Sequence, residues 1–332
     1  MRRPTPFALA VLLLLAGRAS AETTVTPLEF EGRSAFRLSD GKSQAVVVPS
    51  LARVMSFGPV GGPELLWRPE PGWAERQKGW KNFGGDKTWP GPQSQWWALV
   101  GSDFPPDATW DSGPHEAKVT DGKTLVTTGP VMKHLGVRLT REYAFTADGE
   151  FEVRQTFELV DGPPRMLSIW SVTQVPHPDA VYLPLNPASP YKDAFFWWPG
   201  VKRPQTKQTA QPVTPTLLRV KPTREESFKV GADAPVAAIV AVRAGMALRV
   251  RADRPGGAYP DGAEGAGFPV EYYNNGSAEA PYVELELLSP LYAFRKPGDK
   301  HTHTVRWSVQ KLPNADSESA ESRKVIEGLL AP

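Results

Sequence analysis

The stretch VRLTREYAFTADGEFEVRQTFELV, residues 137–160, decides the fold class. Apolar and polar side chains alternate along both of its halves, and Asp148-Gly149 between them is a strong signal for a turn joining antiparallel strands. In the second half one face carries Phe151, Val153, Gln155 and Phe157, and the other carries Glu152, Arg154, Thr156 and Glu158. Because an apolar face must be buried against a second layer, the stretch predicts a β-sandwich.

Similar sequence fills most of the chain on both sides of this hairpin. Short alternating or β-branched runs, separated by turns rich in Gly, Pro and Asp, lie at residues 25–30, 34–38, 45–48, 53–57, 64–67, 118–128, 166–175, 237–242, 247–251, 281–288 and 302–311. No run before Asn314 keeps a helical period, and neither a repeat nor a shift in composition divides the chain. We therefore predict one large all-β domain over residues 22–312, followed by a tail or short helix over residues 313–332.

An aromatic segment, residues 80–116, interrupts the strand pattern. It holds five of the eleven tryptophans, namely Trp80, Trp89, Trp96, Trp97 and Trp110. Its prolines argue against a buried strand, and its tryptophans argue against a disordered linker. We predict a long ordered loop that presents polar groups beside flat indole faces, a surface that suits a sugar ring. The alternative is an aromatic plug that seals one end of the domain.

Residues 1–21 have the pattern of a secretory signal peptide. Arg2 and Arg3 precede the apolar run FALAVLLLLA, residues 7–16, and Ala19-Ser20-Ala21 resembles a cleavage site. The apolar run is well short of the roughly 20 residues that a membrane-spanning helix requires. We therefore expect a periplasmic or secreted protein, cleaved near Ala21 and not inserted in the membrane afterwards.

Charge and cysteine usage exclude several function classes. The leader carries three of the 38 basic residues and none of the 36 acidic ones, so the mature chain has 35 basic against 36 acidic residues and a net charge of about −1. This balance gives no electrostatic support for nucleic-acid binding, and no nucleic-acid partner is predicted. The chain has no cysteine, which excludes disulfides, thiolate catalysis and cysteine-ligated zinc.

Three segments together resemble a known superfamily. The run RSAFRLSDGKSQAVVVPSLARVMSFGPVGGPELLW, residues 33–67, resembles the opening of galactose mutarotase-like (aldose 1-epimerase-like) proteins. The block GGDKTWPGPQSQW, residues 84–96, with WDSGP further on, and the C-terminal PYVELELLSP and KPGDKHTHTVRW resemble a bacterial exported branch of that superfamily. The resemblance implies a single-domain β-supersandwich whose concave face binds carbohydrate.

The same resemblance implies which residues would catalyse epimerisation. In active mutarotases a glutamate near the C-terminal sheet deprotonates the anomeric hydroxyl, and Glu284 or Glu286 is its counterpart here. Strand alternation places both on one face, opposite Val283, Leu285 and Leu287, and the alternative for that face is a solvated surface. The family's histidine acid has no counterpart, because Trp170 stands near its position and an indole cannot act as a general acid. His177 lies seven residues further along the chain and could serve as the acid only if its loop were shifted.

These considerations give a set of candidate residues and three hypotheses. The predicted sugar contacts are Asp86, Lys87, Trp89, Gln93, Trp96 and Trp170, with Glu284 and Glu286 as catalytic candidates. The first hypothesis is an exported carbohydrate-binding protein without the usual His/Glu pair. The second is a divergent aldose 1-epimerase, a carbohydrate isomerase, and the third is a non-catalytic structural module. No cofactor is predicted, and the sequence indicates no protein partner.

Two further patterns argue for turns and solvated strands and against metal sites. His301 and His303 share one strand face, but no third ligand stands at a useful spacing, so no metal is predicted. Asp103, Asp107 and Asp111 do not follow a calcium-loop pattern. Hydrolase chemistry is also disfavoured, because two glutamates on one strand approach a substrate from the same side.

Overall fold

The fold is seen in a computed structural model, which describes residues 23–101, 107–198, 209–262 and 267–331. The predicted signal peptide and Asp103 lie outside these ranges. The hairpin around Asp148-Gly149 consists of Val137–Phe145 and Phe151–Leu159, paired antiparallel with Val137 opposite Leu159. Buried positions alternate with partly exposed ones along both strands. One face of the hairpin therefore packs into the interior, as predicted.

Strands are the predominant regular secondary structure of the described residues. In chain order the strands are β1 (Thr24–Phe30), β2 (Arg33–Ser39), β3 (Ser43–Val48), β4 (Arg53–Pro59), β5 (Asp86–Gly91), β6 (Glu116–Thr120), β7 (Thr124–Met132), β8 (Val137–Phe145), β9 (Phe151–Leu159), β10 (Arg165–Pro176), β11 (Ala180–Pro184), β12 (Phe196–Trp197), β13 (Ala210–Thr214), β14 (Leu217–Val220), β15 (Phe228–Ala232), β16 (Ala238–Arg243), β17 (Met246–Ala252), β18 (Val270–Asn274), β19 (Tyr282–Leu288), β20 (Tyr292–Phe294) and β21 (Lys300–Lys311). The helices are α1 (Trp73–Arg76), α2 (Trp96–Val100), α3 (Ala108–Asp111) and α4 (Ala320–Leu329). None of the described helices is long and apolar enough to cross a membrane.

The strands form two antiparallel sheets. The first sheet has the order β1-β2-β3-β4-β5-β10-β19-β18-β15-β12, and β20 pairs with the start of β10. The second has the order β13-β14-β11-β16-β17-β21-β9-β8-β7-β6. Apolar side chains from both sheets share one buried cluster, in which Phe57 of the first sheet contacts Trp307 of the second with ring centroids 5.2 Å apart. The predicted all-β sandwich is confirmed.

Strand β19 shows what lies on each side of the first sheet. Val283, Leu285 and Leu287 are fully buried in the cluster between the sheets, as the alternation predicted. Glu284 and Glu286 point away from that core, yet they are also buried, at 6% and 0% exposure. The outer face of the first sheet is therefore covered, and the residues around the aromatic segment supply much of this cover.

The aromatic segment is not the continuous loop that its prolines indicated. Residues 86–91 form β5, which pairs with β10 in the register Trp89–Trp170 and Pro90–Ile169. Pro90 is tolerated opposite Ile169 because the backbone N–H and C=O of Ile169 both bond to Ser289, on the side of β10 that faces away from β5. The carbonyl oxygen of Pro90 accepts the indole proton of Trp96. The N–H that proline lacks would thus have pointed away from β10. Beyond Asp86, β5 has no ladder to β4, so this side can carry a proline.

The C-terminal residues, which the sequence indicated as a tail or short helix, contain α4. Its N-terminus is capped by Ser319, whose hydroxyl accepts a hydrogen bond from the Ser322 amide. Ile326 and Leu330 pack against the outer face of the second sheet near Tyr182 and Val240. The helix therefore covers part of the second sheet, on the side of the molecule opposite the aromatic cover.

Candidate functional site

Five neighbouring strands of the first sheet, β5, β10, β19, β18 and β15, line a concave surface on the side away from the core. A cavity of about 530 Å³ opens there, within the usual size range of small-molecule sites. Its lining includes Trp89, Gln93, Trp170, Glu284 and Glu286. The five strands place side chains of distant sequence position side by side, because every second residue of each strand faces this surface.

The pairing register determines which polar groups meet. Lys87 of β5 lies opposite Val172 of β10, which lies opposite Glu286 of β19, which in turn lies opposite Glu271 of β18. One step along the strands, Gln174, Glu284 and Tyr273 form a second cross-strand row. The first row therefore begins with Lys87, and the second ends with Lys229, which lies opposite Tyr273.

The first ion pair joins Lys87 and Glu284. Lys87 Nζ donates to Glu284 Oε1 at 3.1 Å, and Gln174 Nε2 donates to the same oxygen at 2.7 Å. The Lys87 ammonium also lies 4.5 Å from the ring centroid of Trp89 and 5.7 Å from that of Trp80. Burial lowers the pKa of Lys87, and the carboxylate of Glu284 opposes this shift. Glu284 Oε1 is thus fixed, while no hydrogen bond within the described residues engages its Oε2.

The second cluster has Lys229 at its centre. Lys229 Nζ lies 2.8 Å from Glu286 Oε2, 2.7 Å from Glu271 Oε2 and 3.3 Å from Gln93 Oε1. Glu286 Oε2 also accepts the indole proton of Trp170 at 2.9 Å. These contacts tie β15, β18, β19 and β10 together at the floor of the cavity.

The protonation of this cluster follows from burial and charge. Burial alone would lower the pKa of Lys229, but the attraction of Glu271 and Glu286 outweighs it and the pKa is raised. Burial raises the pKa of Glu286, and that of Glu271 well above its ordinary value, although Lys229 opposes both shifts. Lys229 is therefore held as an ammonium, and the two carboxyls have an increased affinity for a proton.

The indoles form a rigid wall behind the polar groups. The rings of Trp89, Trp96 and Trp170 contact one another with centroids 5.3 to 5.7 Å apart. Asp111 Oδ1 accepts from Trp89 Nε1 at 2.9 Å, and Asp111 Oδ2 accepts from Trp80 Nε1 at 2.9 Å. These indole N–H groups therefore bond to protein atoms, and the ring surfaces are left to line the cavity.

Five of the eight predicted site residues line the cavity, and Asp86, Lys87 and Trp96 do not. Lys87 lies in the wall behind Glu284 and is fully buried. Asp86 faces the space between the sheets, where it forms an ion pair with Arg141 and accepts from Thr173 at 2.9 Å. Trp96 lies behind Trp89. Any contact of these three residues with a ligand would be indirect.

Sequence reasoning missed Lys229, Glu271, Gln174, Tyr273 and Tyr282, although all of them contribute to the concave surface or its ion pairs. Alternation within Glu271–Tyr273 could have indicated that Glu271 and Tyr273 share a face. The order of the strands was not readable from the sequence, however, so nothing indicated that this face lies next to Glu284 and Glu286. Lys229 lies in a short strand without a distinctive pattern.

All five histidines of the chain lie in the described ranges, and none of them lines the cavity. His177 is half-buried, and its Nε2 lies 3.3 Å from the carbonyl oxygen of Asn275. His301 Nε2 lies 3.1 Å from Ser289 Oγ, and burial lowers the pKa of His303 to about 4. Within the described residues no group of three or more acidic or histidine side chains could hold a metal ion. The described wall thus offers Trp170, and no imidazole, where the resemblance implied a proton donor.

No family model and no curated protein matches the chain. Among solved structures, it is similar to a galactose mutarotase-like protein from Clostridium acetobutylicum (9% identity, TM-score 0.55, 88% of this chain and 99% of that one). A galactose mutarotase-like protein from Lactobacillus casei is similar too (11% identity, TM-score 0.53, 86% and 100%).

A third similar structure is a TPR-domain containing protein from Parabacteroides distasonis, at 17% identity and a TM-score of 0.57. The match covers 85% of this chain but only 48% of that protein, so the chain spans about half its length. At these identities the likeness shows the fold alone. The fold is the galactose mutarotase-like β-supersandwich that the sequence resemblance implied.

Proposed function

We propose that this protein is an exported carbohydrate-binding protein that holds a sugar in the concave cavity of the first sheet. The observation that carries the proposal is the composition of the cavity wall, where the indoles of Trp80, Trp89 and Trp170 adjoin the carboxylates of Glu284 and Glu286. A sugar ring offers apolar C–H faces that pack on indoles and hydroxyls that bond to carboxylates and amides.

The rigidity of the wall favours binding. The side chains that would contact the sugar are already fixed by Lys87, Lys229 and Asp111, so little conformational freedom is lost when a ligand enters. The similar solved structures include galactose mutarotase-like proteins, which supports a sugar ligand by analogy of fold. A structural module would have no need of such a cavity.

Binding without epimerisation is the simpler function for this wall. Opening a sugar ring requires a base at the anomeric hydroxyl and an acid at the ring oxygen. Glu284 and Glu286 could serve as the base, but none of the described lining residues is a histidine. Lys87 and Lys229 are both engaged with carboxylates, and neither ammonium is directed freely into the cavity.

Isothermal titration calorimetry against monosaccharides and bacterial cell-envelope glycans tests the proposal. Trp73 lines the cavity at its rim and is only half-buried, so Trp73→Ala should weaken binding while the protein stays folded. The matched control is Trp97→Ala, because Trp97 is 67% exposed and is not among the lining residues. No binding of any glycan by the folded protein would contradict the proposal.

A second candidate function is a divergent aldose 1-epimerase with Glu284 as the base. It is favoured by Glu284 Oε2, which has no hydrogen bond within the described residues and faces the cavity, whereas Glu286 Oε2 is bonded to Lys229 and Trp170. Polarimetry on freshly dissolved sugars decides this function. Mutarotation that is faster than buffer and lost in Glu284→Gln would support it, and mutarotation at the rate of buffer would remove it.

The export part of the proposal rests on residues 1–21 and has its own test. Expression of the full chain in a bacterium, followed by fractionation, should recover the protein outside the cytoplasm. Its N-terminus, read by mass spectrometry, should lie near Glu22. Recovery of the uncleaved chain in the cytoplasm would contradict the export part without affecting sugar binding.

A further inference from the structure

Three indole N–H groups and the ammonium that line the cavity already have partners within the protein. The indole N–H groups of Trp80 and Trp89 donate to Asp111, and that of Trp170 donates to Glu286. Among the described lining residues the only cation is Lys229, whose ammonium is shared by three side-chain oxygens. A ligand anion would therefore find no unpaired positive charge in the described wall, and only neutral donors such as the amides of Asn82 and Gln93.

Acceptors, in contrast, remain free. Glu284 Oε2 has no donor within the described residues, and Glu286 Oε1 is buried without a hydrogen-bond partner there. Glu279 is exposed at the rim and adds a third carboxylate to the lining. A buried carboxylate oxygen that lacks a donor is costly, so the site is suited to a ligand that brings donors.

The charge balance of the site is negative, which also favours a ligand that brings donors and a positive charge. The lining and its ion pairs contain the carboxyls of Glu271, Glu279, Glu284 and Glu286 against the ammonium groups of Lys87 and Lys229. Acidic groups are therefore in excess of basic ones in this set. Indole faces, which carry negative potential, surround them and also favour a cation.

We infer that the cavity selects an amino sugar, a hexose that carries a free protonated amine, and rejects sugars that carry phosphate, sulfate or carboxylate. This inference rests on the proposed sugar-binding function. The ammonium supplies three donors and one positive charge, which match the free Oε2 of Glu284 and the rim carboxylate of Glu279, and the remaining hydroxyls are neutral donors. An N-acetyl group in place of the amine removes the charge and two of the donors.

Calorimetry with matched sugars tests the inference. Each set contains a hexosamine, its parent hexose, its N-acetyl derivative and its uronic acid, in the gluco, galacto and manno configurations. At about pH 6 a primary amine that resembles an α-amino group is protonated. In one configuration the hexosamine should bind about tenfold or more tightly than the parent hexose, because hydrogen bonds to charged groups are the stronger ones. The uronic acid should bind most weakly.

A variant pair links the preference to the wall. Glu279→Gln removes an exposed rim carboxylate, so it should fold normally and reduce the ratio of hexosamine affinity to parent-hexose affinity severalfold. The matched control is Glu321→Gln, an equal change of charge on the exposed face of α4, which packs on the other sheet. It should leave both affinities unchanged.

The outcomes separate the inference from the proposed function. If a neutral hexose binds and its hexosamine binds no more tightly, the inference is wrong and the sugar-binding function stands. If the control Glu321→Gln reduces the preference as much as Glu279→Gln does, the preference reflects the net charge of the protein and the inference is again wrong. If no sugar of any set binds to the folded protein, the proposed function itself fails.

Discussion

The outer faces of the two sheets carry the same kinds of residue in different surroundings. On the second sheet, Arg306 Nε contacts Glu152 Oε2 at 2.7 Å, and both side chains are 21% exposed. On the first sheet, Lys229 contacts Glu286 at 2.8 Å, and these side chains are 5% and 0% exposed. Strand alternation places ion pairs on both faces, but only the first sheet has the aromatic cover. The cover converts ordinary surface charges into a buried, rigid site.

The largest change in the free energy of unfolding is expected when the buried cation Lys229 is removed. Lys229→Met leaves Glu271 and Glu286 buried without their partner, and breaking such a pair costs about 3–5 kcal/mol. The free energy of unfolding, measured by urea denaturation, should fall by this amount at neutral pH. A loss below about 1 kcal/mol, the range of surface pairs, would mean that the cover admits water and that the two faces do not differ.

The cover itself should contain one tryptophan that matters for stability beside one that does not. Trp96 and Trp97 are neighbours in α2, at 1% and 67% exposure. Trp96→Ala removes a ring that packs on Trp89 and Trp170 and should lower the free energy of unfolding by about 3–5 kcal/mol. Trp97→Ala should stay within about 0.5 kcal/mol. Thermal and urea unfolding measure both variants, and an equal loss of stability in Trp96→Ala and Trp97→Ala would contradict the described packing.

The pH dependence of stability should distinguish the buried carboxyls of the first sheet from the partly exposed carboxyls of the second sheet. Burial raises the pKa of Glu271 well above 4.5, so the folded state binds a proton more tightly than the unfolded state. The stability from this group is therefore present below pH 4.5 and is lost as the pH rises toward the folded pKa. In urea unfolding at several pH values, Glu271→Gln should flatten this decline and be more stable than wild type at the upper end.

The control for that experiment lies on the uncovered face. Glu152→Gln removes a partly exposed carboxylate that pairs with Arg306. It should leave the slope of stability against pH as it is in the wild type. If Glu152→Gln and Glu271→Gln change the slope equally, burial under the aromatic cover does not alter how a carboxyl contributes to the pH dependence of stability.

The smallest effect is expected for the second sheet's own ion pair. Arg306→Met breaks contacts to Glu152 and Asp253, but water can replace them because the side chains are partly exposed. The free energy of unfolding should change by about 0–1 kcal/mol, and added salt should reduce the difference from wild type further. A loss as large as that of Lys229→Met would remove the contrast between the faces.

The sequence predicted the parts of the fold that depend on local alternation. The Asp148-Gly149 hairpin and the opposite faces of Glu284 and Leu285 follow from a period of two, which each strand carries within itself. Lys229 and Glu271 could not be found in this way, because their place beside Glu286 depends on the order β19-β18-β15 in the sheet. Strand order is a property of tertiary pairing and leaves little mark on a single strand.

Asp86 and Lys87 show how one misread element changes a site. Both were predicted to contact sugar, because Pro90 indicated a loop and a loop imposes no alternation. Residues 86–91 are a strand, however, so Lys87 turns to Glu284 while Asp86 turns to Arg141 between the sheets. Had the strand been recognised, its period would have separated the two residues. Trp96 was misplaced for a related reason, since its burial depends on packing against β5 and β10.

The pair Lys87–Glu284 joins positions 197 residues apart in the chain. Such a contact closes a very long loop, and folds dominated by distant pairings acquire them slowly. No fragment that ends before β19 can assemble the floor of the cavity, so ligand affinity is a property of the finished chain. A bound ligand would therefore serve as a folding sensor, reporting that the first and last thirds of the polypeptide have met.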